Sequence, residues 1–196
     1  MARRILVLFA HPVLERSRVN VRLMEGVREL DGVTVHDLYE RYPTFAVDVA
    51  REKALLLEHD VVVLQHPFYW YSAPALVKEW LDLVLEHGWA YGKGGHALQG
   101  KLMFNAVTTG GGDDAYRREG YNRFTMRELL APFDQTAYLC GMTYLAPFVV
   151  HGALRLAGDA TAPAVTAYRK LIEAVRDERI DVDKAAGAAH LGEVEL

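Results

Sequence analysis

With 196 residues, half of them hydrophobic and a quarter charged, the chain has the makeup of one globular domain with room for a sizeable core. A net charge of −4 and an isoelectric point near 6.1 leave no basic footprint, which argues against nucleic acid as a partner. The lone cysteine, Cys140, precludes an internal disulfide or a cysteine-cluster metal site, and its apolar setting marks it as a buried, inert thiol in a reducing compartment.

Met1 to Arg4 precede a short apolar run over residues 5–10 that stops at His11-Pro12 without a small-residue cleavage site, so the run reads as a first buried strand and not as a signal peptide. No stretch has the apolar length of a membrane span, and a soluble, cytoplasmic protein is expected. Ser17 is a plausible N-cap for a helix carrying Val19, Leu23, Val27 and Leu30 on one face, which Asp31-Gly32 ends. Residues 33–38 alternate like a second, more exposed strand, and residues 48–58 read as a short helix. Val61 to Gln65 form a third strand, apolar without alternation until its last residue, as in a strand buried on both faces. The aromatic loop His66 to Pro74 leads into a helix over residues 76–86 with one broad apolar face. A glycine-rich loop (88–96) and a fourth strand (102–107) follow, and the latter ends in Thr108-Thr109-Gly110-Gly111-Gly112. Residues 113–123 read as a mobile connection and 125–139 as one helix. Residues 142–150 make a fifth strand in which Pro147 demands an edge or an irregularity. A last helix sets Val165, Tyr168, Ile172 and Val175 on one face, and a charged, alanine-rich tail (181–196) is expected to fray from a single domain spanning 1–180.

Strands alternating with helices, most of them fully apolar, predict a five-stranded parallel sheet of order 2-1-3-4-5 covered on both faces. Ligands of such sheets bind beyond the carboxyl ends of the strands at the switch point between strands one and three. Here that point gathers His11-Pro12, Gln65-His66-Pro67 and, one strand over, Thr108 to Gly111. The start of helix one offers free amides, Ser17, Asn20 and a charge-assisted contact from His11 to an anionic group, although Ser17 taken alone is better read as a plain helix cap and His11 could be a histidine satisfied by a backbone carbonyl. The prolines of the aromatic loop can hold its amides in a fixed array against a flat, polar-edged ring, and its aromatics would otherwise pack over the sheet edge or into a subunit contact. Glycines 110 and 111 permit close approach of a ligand plane. Together these features suit a phosphorylated flat cofactor, flavin mononucleotide (FMN) foremost. The first loop lacks the glycine pattern of dinucleotide folds, no acidic residue ends strand three as a receiver domain requires, and no metal-ligand spacing occurs.

The four motifs Ala10-His11-Pro12, Gln65 to Pro74, His87-Gly88-Trp89-Ala90-Tyr91-Gly92 and Thr108 to Gly112 resemble the flavodoxin-like NAD(P)H:quinone oxidoreductases from about residue 4 to about 152. Among these the chain is most similar to the bacterial ancillary subunits of the Kef glutathione-gated potassium-efflux systems. The resemblance implies a flavodoxin-like three-layer sandwich, a homodimer with flavin at the subunit interface, and two-electron reduction of a quinone by NADH or NADPH in ping-pong fashion. FMN is the expected flavin; FAD, used by the mammalian relatives, is the alternative. It further implies that His11, Ser17, Arg18, Val19 and Asn20 surround the flavin phosphate and ribityl chain. Phe68, Tyr69, Trp70 and Tyr71 would run along the ring, and Thr108, Thr109, Gly110 and Gly111 would line its pyrimidine edge. Trp89 and Tyr91 would wall the substrate pocket of the partner subunit. Tyr116 matches a tyrosine that assists charge transfer in the mammalian relatives, while Asn122 stands where their histidine falls, and asparagine cannot take up a proton near neutral pH. His151 reads as structural. The resemblance also opens a regulatory role on a membrane potassium-efflux antiporter, which would hold the protein at the inner face of the cell membrane. A one-electron carrier of the flavodoxin type is the third reading, disfavoured by the aromatic pocket and the mildly acidic charge.

Overall fold

The computed structural model describes residues 2–194. The central sheet is parallel, in the order β2-β1-β3-β4-β5, and is built from β1 (Ile5–Phe9), β2 (Val33–Asp37), β3 (Val61–Pro67), β4 (Leu102–Thr108), β5 (Thr143–Tyr144) and β6 (Phe148–Val150). β1, β3 and β4 are buried along their whole length, which is why their sequences are apolar on both faces. Leu6, Leu8, Val62 and Leu64 pack on one side beneath α3 (Val49–Glu58), α4 (Ala75–Val84), α5 (Met126–Leu129) and α6 (Ala131–Leu139). Ile5, Val7, Val61, Val63 and Phe104 pack on the other beneath α1 (Asn20–Arg28), α7 (Ala162–Arg176) and α8 (Val182–Gly187). A single turn of helix, α2 (Leu38–Arg41), follows β2.

A carboxylate sits inside the first core. Glu52 of α3 is fully buried, yet it accepts hydrogen bonds from His36 Nε2 (2.8 Å), the Tyr42 hydroxyl (2.6 Å) and Trp80 Nε1 (2.8 Å). Burial alone would push its pKa up; these three donors outweigh it and hold the carboxyl below its ordinary range. The charge thereby ties α3 to β2 and α4.

Four sequence expectations are corrected. Helix α1 begins at Asn20 with Val19 in the capping position, so Ser17 is not its N-cap; the Ser17 hydroxyl still accepts from the Val21 amide at 3.0 Å, and a 3-10 turn over Leu14–Arg16 fills the loop before it. The single helix expected over 125–139 is two. Thr125 and Glu128 form a capping box for α5, and Pro132, lacking an amide hydrogen, forces a new start at α6. The 113–123 connection is folded back on itself: a 3-10 turn spans Asp113–Ala115, Arg117 pairs with Asp113, and the Asn122 amide bonds the Ala115 carbonyl at 2.9 Å.

The fourth correction is the tail. Pro147 interrupts the last strand, leaving β5 and β6 on β4 with Leu145, Ala146 and Pro147 between them. The Ala146 amide turns to the Ala185 carbonyl of α8 (2.9 Å), and the Leu191 amide to the Pro147 carbonyl (2.9 Å). Ala185 and Leu191 are buried. Through residue 194 the tail therefore satisfies the broken edge of the sheet; its last two residues lie outside the described residues.

Candidate functional site

The register carries Phe9 beside Gln65 and Pro67 beside Thr108, so the ends of β1, β3 and β4 meet on one edge of the sheet. A cleft of about 560 Å³ opens there. Its floor is a buried polar chain: the Tyr168 hydroxyl donates to Gln65 Oε1 (3.2 Å), Gln65 Nε2 to the Asn20 carbonyl (2.8 Å), and Asn20 Nδ2 to Thr108 Oγ1 (2.6 Å). Asn20 is 2% exposed and lines the cleft, and its Oδ1 is the one buried side-chain polar atom without a partner among the described residues. An acceptor left in that state costs about 1–3 kcal/mol unless something donates to it.

The structure brings His11, Ser17, Arg18, Val19, Asn20, Phe68, Tyr69, Thr108, Thr109 and Gly110 together around this cleft. A second hollow of about 300 Å³ shares Phe68 and Gly110 and adds Trp70, Tyr71, Gly111, Tyr116 and Asn122. All the residues singled out at the strand ends therefore fall in two adjoining spaces. Arg16, Ala153 and Leu154 also line the first, and Tyr121 the second; sequence reasoning missed them. Arg16 was adjacent to a named residue, whereas Leu154 arrives from the turn after β6 with no local signal.

His11 differs from its expected role. The Val13 amide donates to its Nδ1 at 3.3 Å, which puts the proton of a neutral ring on Nε2. Burial lowers the pKa of His11, opposed in part by that backbone contact and by Asp37 and Glu15. It is an uncharged donor near neutrality, and the cations on this side are the exposed Arg16 and Arg18.

The aromatic loop is a tight turn. Tyr69 and Ser72 exchange backbone hydrogen bonds of 3.1 and 3.0 Å, and Trp70 and Tyr71 at its tip have φ of +49° and +63°. Two consecutive left-handed residues that are not glycine store of order 1–2 kcal/mol each. The Phe68 amide is taken by the Thr108 carbonyl and the Tyr69 amide by Ser72, whereas the Trp70 and Tyr71 amides have no protein acceptor among the described residues. Trp70 is 92% exposed. Opposite, a Cβ at Gly110 would stand 3.2 Å from Leu154, and one at Gly111 3.3 Å from the Tyr116 ring, so glycine keeps this shelf open.

Trp89 and Tyr91 do not reach either hollow of their own chain. Lys53 Nζ lies 4.8 Å from the centre of the Trp89 ring. Tyr91 packs on His87 and borders a separate, apolar cleft of about 570 Å³ between α4 and α6. Cys140 lines that cleft as well, and burial raises its thiol pKa. No helix among the described residues is long and apolar enough to cross a membrane.

A sheet of this order with a cleft at its switch point defines the flavodoxin-like class. The chain belongs to the family described as having a flavodoxin-like fold, whose model matches residues 3–174. It is similar to the glutathione-regulated potassium-efflux system ancillary protein KefG of Pectobacterium carotovorum, with 48% identity over 165 residues, 84% of this chain and 90% of that one. Three solved structures are also similar. A thermophilic tryptophan halogenase from Streptomycin violaceusniger has 44% identity and a TM-score of 0.82 over 84% of this chain and 96% of its own. General stress protein 14 of Treponema denticola, in complex with FMN, has 38% identity and a TM-score of 0.82 over 88% and 99%. An NADPH-quinone reductase from P. pentosaceus has 35% identity and a TM-score of 0.77 over 85% and 96%. These proteins share a fold and carry different activities in their names, so the reaction has to be argued from the site.

Proposed function

We propose that the chain is an FMN-dependent NAD(P)H:quinone oxidoreductase, carried above all by the unpartnered Asn20 Oδ1 in a cleft at the switch point of the sheet. A ribityl hydroxyl is a donor suited to that atom. Arg16, Arg18 and the first turn of α1 offer charge and amides to a phosphate, and the neutral His11 adds an N–H. The free amides of Trp70 and Tyr71 fit the polar edge of a flat ring, and the Gly110-Gly111 shelf leaves room for its other side. The residues present therefore fit FMN, and a solved relative holds FMN on the same fold. FAD is the less favoured flavin, because the first loop closes quickly through the turn at Leu14–Arg16.

FMN bound there would supply hydride chemistry, accepting from NADH or NADPH and delivering to a quinone in alternation. The protein's part is to align planes and exclude water. Phe68 and Tyr116, with ring centroids 6.1 Å apart, close the inner end of the second hollow, and Trp70 and Tyr121 stand on its rim. The Tyr116 hydroxyl stands beside the glycine shelf, 3.6 Å from where a Cβ at Gly111 would lie; Asn122 accepts from the Tyr71 hydroxyl at 3.2 Å and so holds the two loops together. Trp89 and Tyr91 lie away from the site of their own chain, as residues donated to the partner subunit of a homodimer must. We place the protein in the cytoplasm.

A second reading is favoured by the KefG relative: an ancillary subunit of a potassium-efflux antiporter, seated at the inner face of the membrane, in which redox activity is secondary. An absorption spectrum of the purified protein, followed by anaerobic NADH or NADPH and then a benzoquinone, tests both. Flavin bands that bleach and return support the reductase. Flavin that ignores pyridine nucleotide favours the ancillary role, and failure to bind flavin on reconstitution refutes the cofactor site.

A further inference from the structure

A histidine that the proposed mechanism does not use stands behind the Gly110-Gly111 shelf. His151, in the turn after β6, stacks on Tyr116 with ring centroids 5.4 Å apart and planes inclined by 36°. Its Nδ1 lies 3.2 Å from Thr109 Oγ1 and its Nε2 3.5 Å from Asp113 Oδ1. The ring thus stands directly behind the glycine shelf, joined to it through Thr109.

The proton count at Thr109 decides the state of that ring. The single hydroxyl proton of Thr109 is donated to the Gly111 carbonyl at 2.8 Å, so toward His151 its oxygen can only accept, and Nδ1 carries a proton. A neutral ring of that tautomer would aim the Nε2 lone pair at the Asp113 carboxylate. Only the imidazolium donates in both directions. Loss of the proton forces a choice: either the Asp113 contact turns repulsive, or the Thr109 hydroxyl swings to Nδ1 and abandons Gly111, whose carbonyl then keeps only the Gly152 amide at 2.8 Å.

We propose that His151 is a titrating positioning residue: as the imidazolium it locks Thr109, Tyr116 and the Gly110-Gly111 shelf and favours an anionic ligand edge there, and on deprotonation it releases them. The proposal rests on the FMN reading of the cleft. The charged groups around the ring come from several elements. Asp113, Asp114 and Arg117 belong to the 113–123 segment, with Arg117 paired to Asp113. His190 approaches from the tail. Arg127 of α5 lines a hollow of about 370 Å³ together with His151, His190 and Asp113, but donates to the Ala186 and Ala188 carbonyls, and the Arg155 guanidinium lies over Gly152. On balance the His151 pKa lies below its ordinary value: burial lowers it most, Asp113 raises it, His190 lowers it and Asp114 raises it, so the imidazolium belongs to the acid end of the pH range.

His151→Asn keeps a neutral N–H toward Thr109 and cannot titrate. FMN affinity of flavin-free wild type and variant, followed by fluorescence quenching between about pH 5.5 and 8, is read as the ratio of the two dissociation constants. The ratio cancels titration of His11 and of the FMN phosphate. Wild type is expected to bind roughly tenfold tighter than the variant at the acid end, with the two converging at the basic end, which corresponds to a shift of about one pKa unit on binding. Asp113→Asn should move the convergence to lower pH. A ratio that is flat across the range overturns the proposal. Nitrogen NMR of the flavin-free protein provides the second readout: a His151 ring that stays in the neutral Nε2–H form throughout also overturns it. If wild type binds no FMN at any pH, the cofactor reading fails and takes the ligand half of the proposal with it, while the NMR titration still decides the state of the ring.

Discussion

Replacing Asn20 by leucine separates a ligand-binding residue from a structural one, because the two polar atoms of its amide stand in opposite situations. Nδ2 is bonded to Thr108 Oγ1 at 2.6 Å, and Oδ1 is buried with no partner. Leucine has the same branched outline, is somewhat bulkier, and removes both atoms. Losing the Thr108 bond costs about 1 kcal/mol, and removing an unsatisfied buried acceptor returns about 1–3 kcal/mol. The flavin-free variant should therefore unfold in urea within about 2 kcal/mol of wild type, in either direction. Binding of FMN has no such compensation. It loses an acceptor in the cleft and leaves the ligand's donor facing a hydrocarbon, so affinity should fall about 5- to 150-fold, the equivalent of 1–3 kcal/mol. Flavin fluorescence quenching measures this directly. Unchanged FMN affinity, whatever the stability, would refute the assignment of Oδ1 to a ligand.

Three further outcomes follow from other parts of the site. Trp70→Gly should be about 1 kcal/mol more stable than Trp70→Ala in urea denaturation: both remove the indole, and only glycine relaxes the φ of +49°; equal stabilities would mean that the turn stores no strain. His66 is fully buried and burial pushes its pKa down to about 4, from an ordinary 6.5. The unfolded chain then takes up the proton first as pH falls, so its contribution is complete above about 6.5 and lost toward 4, about 3 kcal/mol in all; His66→Gln should flatten the fall of stability with acid, and an unaltered slope would contradict the burial argument. Replacing Trp89 and Tyr91 together by alanine should reduce quinone turnover at least tenfold with a much smaller change in melting temperature; undiminished turnover would dispose of the shared dimeric site.

The parts of the fold legible in the sequence are those fixed by local pattern. β1, β3 and β4 announce themselves because burial on both faces allows hardly any polar residue, and their order follows from connectivity. The break at Pro147 was legible as a missing donor, but its consequence was not: what fills the gap is Ala185 and Leu191, some forty residues on, and nothing local in an alanine-rich tail foretells that it will dock on a sheet edge. The split at Pro132 was hidden for the opposite reason, since the apolar periodicity runs on through it. At the site, residues on the strand-end loops were found because topology alone brings those loops together. Leu154 was not found, and His151 was read as structural, because both enter by folding back across β4.

The chemistry of Asn20 belongs to neither group, and it shows why the cleft is a built site and not a gap between loops. A side chain in the first turn of a helix is ordinarily wet and indifferent. Here Tyr168 on α7, Gln65 on β3, Asn20 on α1 and Thr108 on β4 form one chain of donors and acceptors under the cleft, so each element fixes the polar groups of the next. Every buried side-chain polar atom in that chain has a partner except one, the Oδ1 of Asn20, a residue that lines the cleft. Water reaching the cleft could satisfy it, but a floor this rigid also offers a fixed acceptor to a ligand hydroxyl at little ordering cost, and low reorganisation is what separates a cofactor site from a solvent pocket. The strained amides of Trp70 and Tyr71 on the facing loop have the same character: donors held out by the fold at an energetic cost, with no partner in the chain. An acceptor on the floor and two donors at the rim, all unused, call for a ligand with polar groups at both ends and a flat body between them.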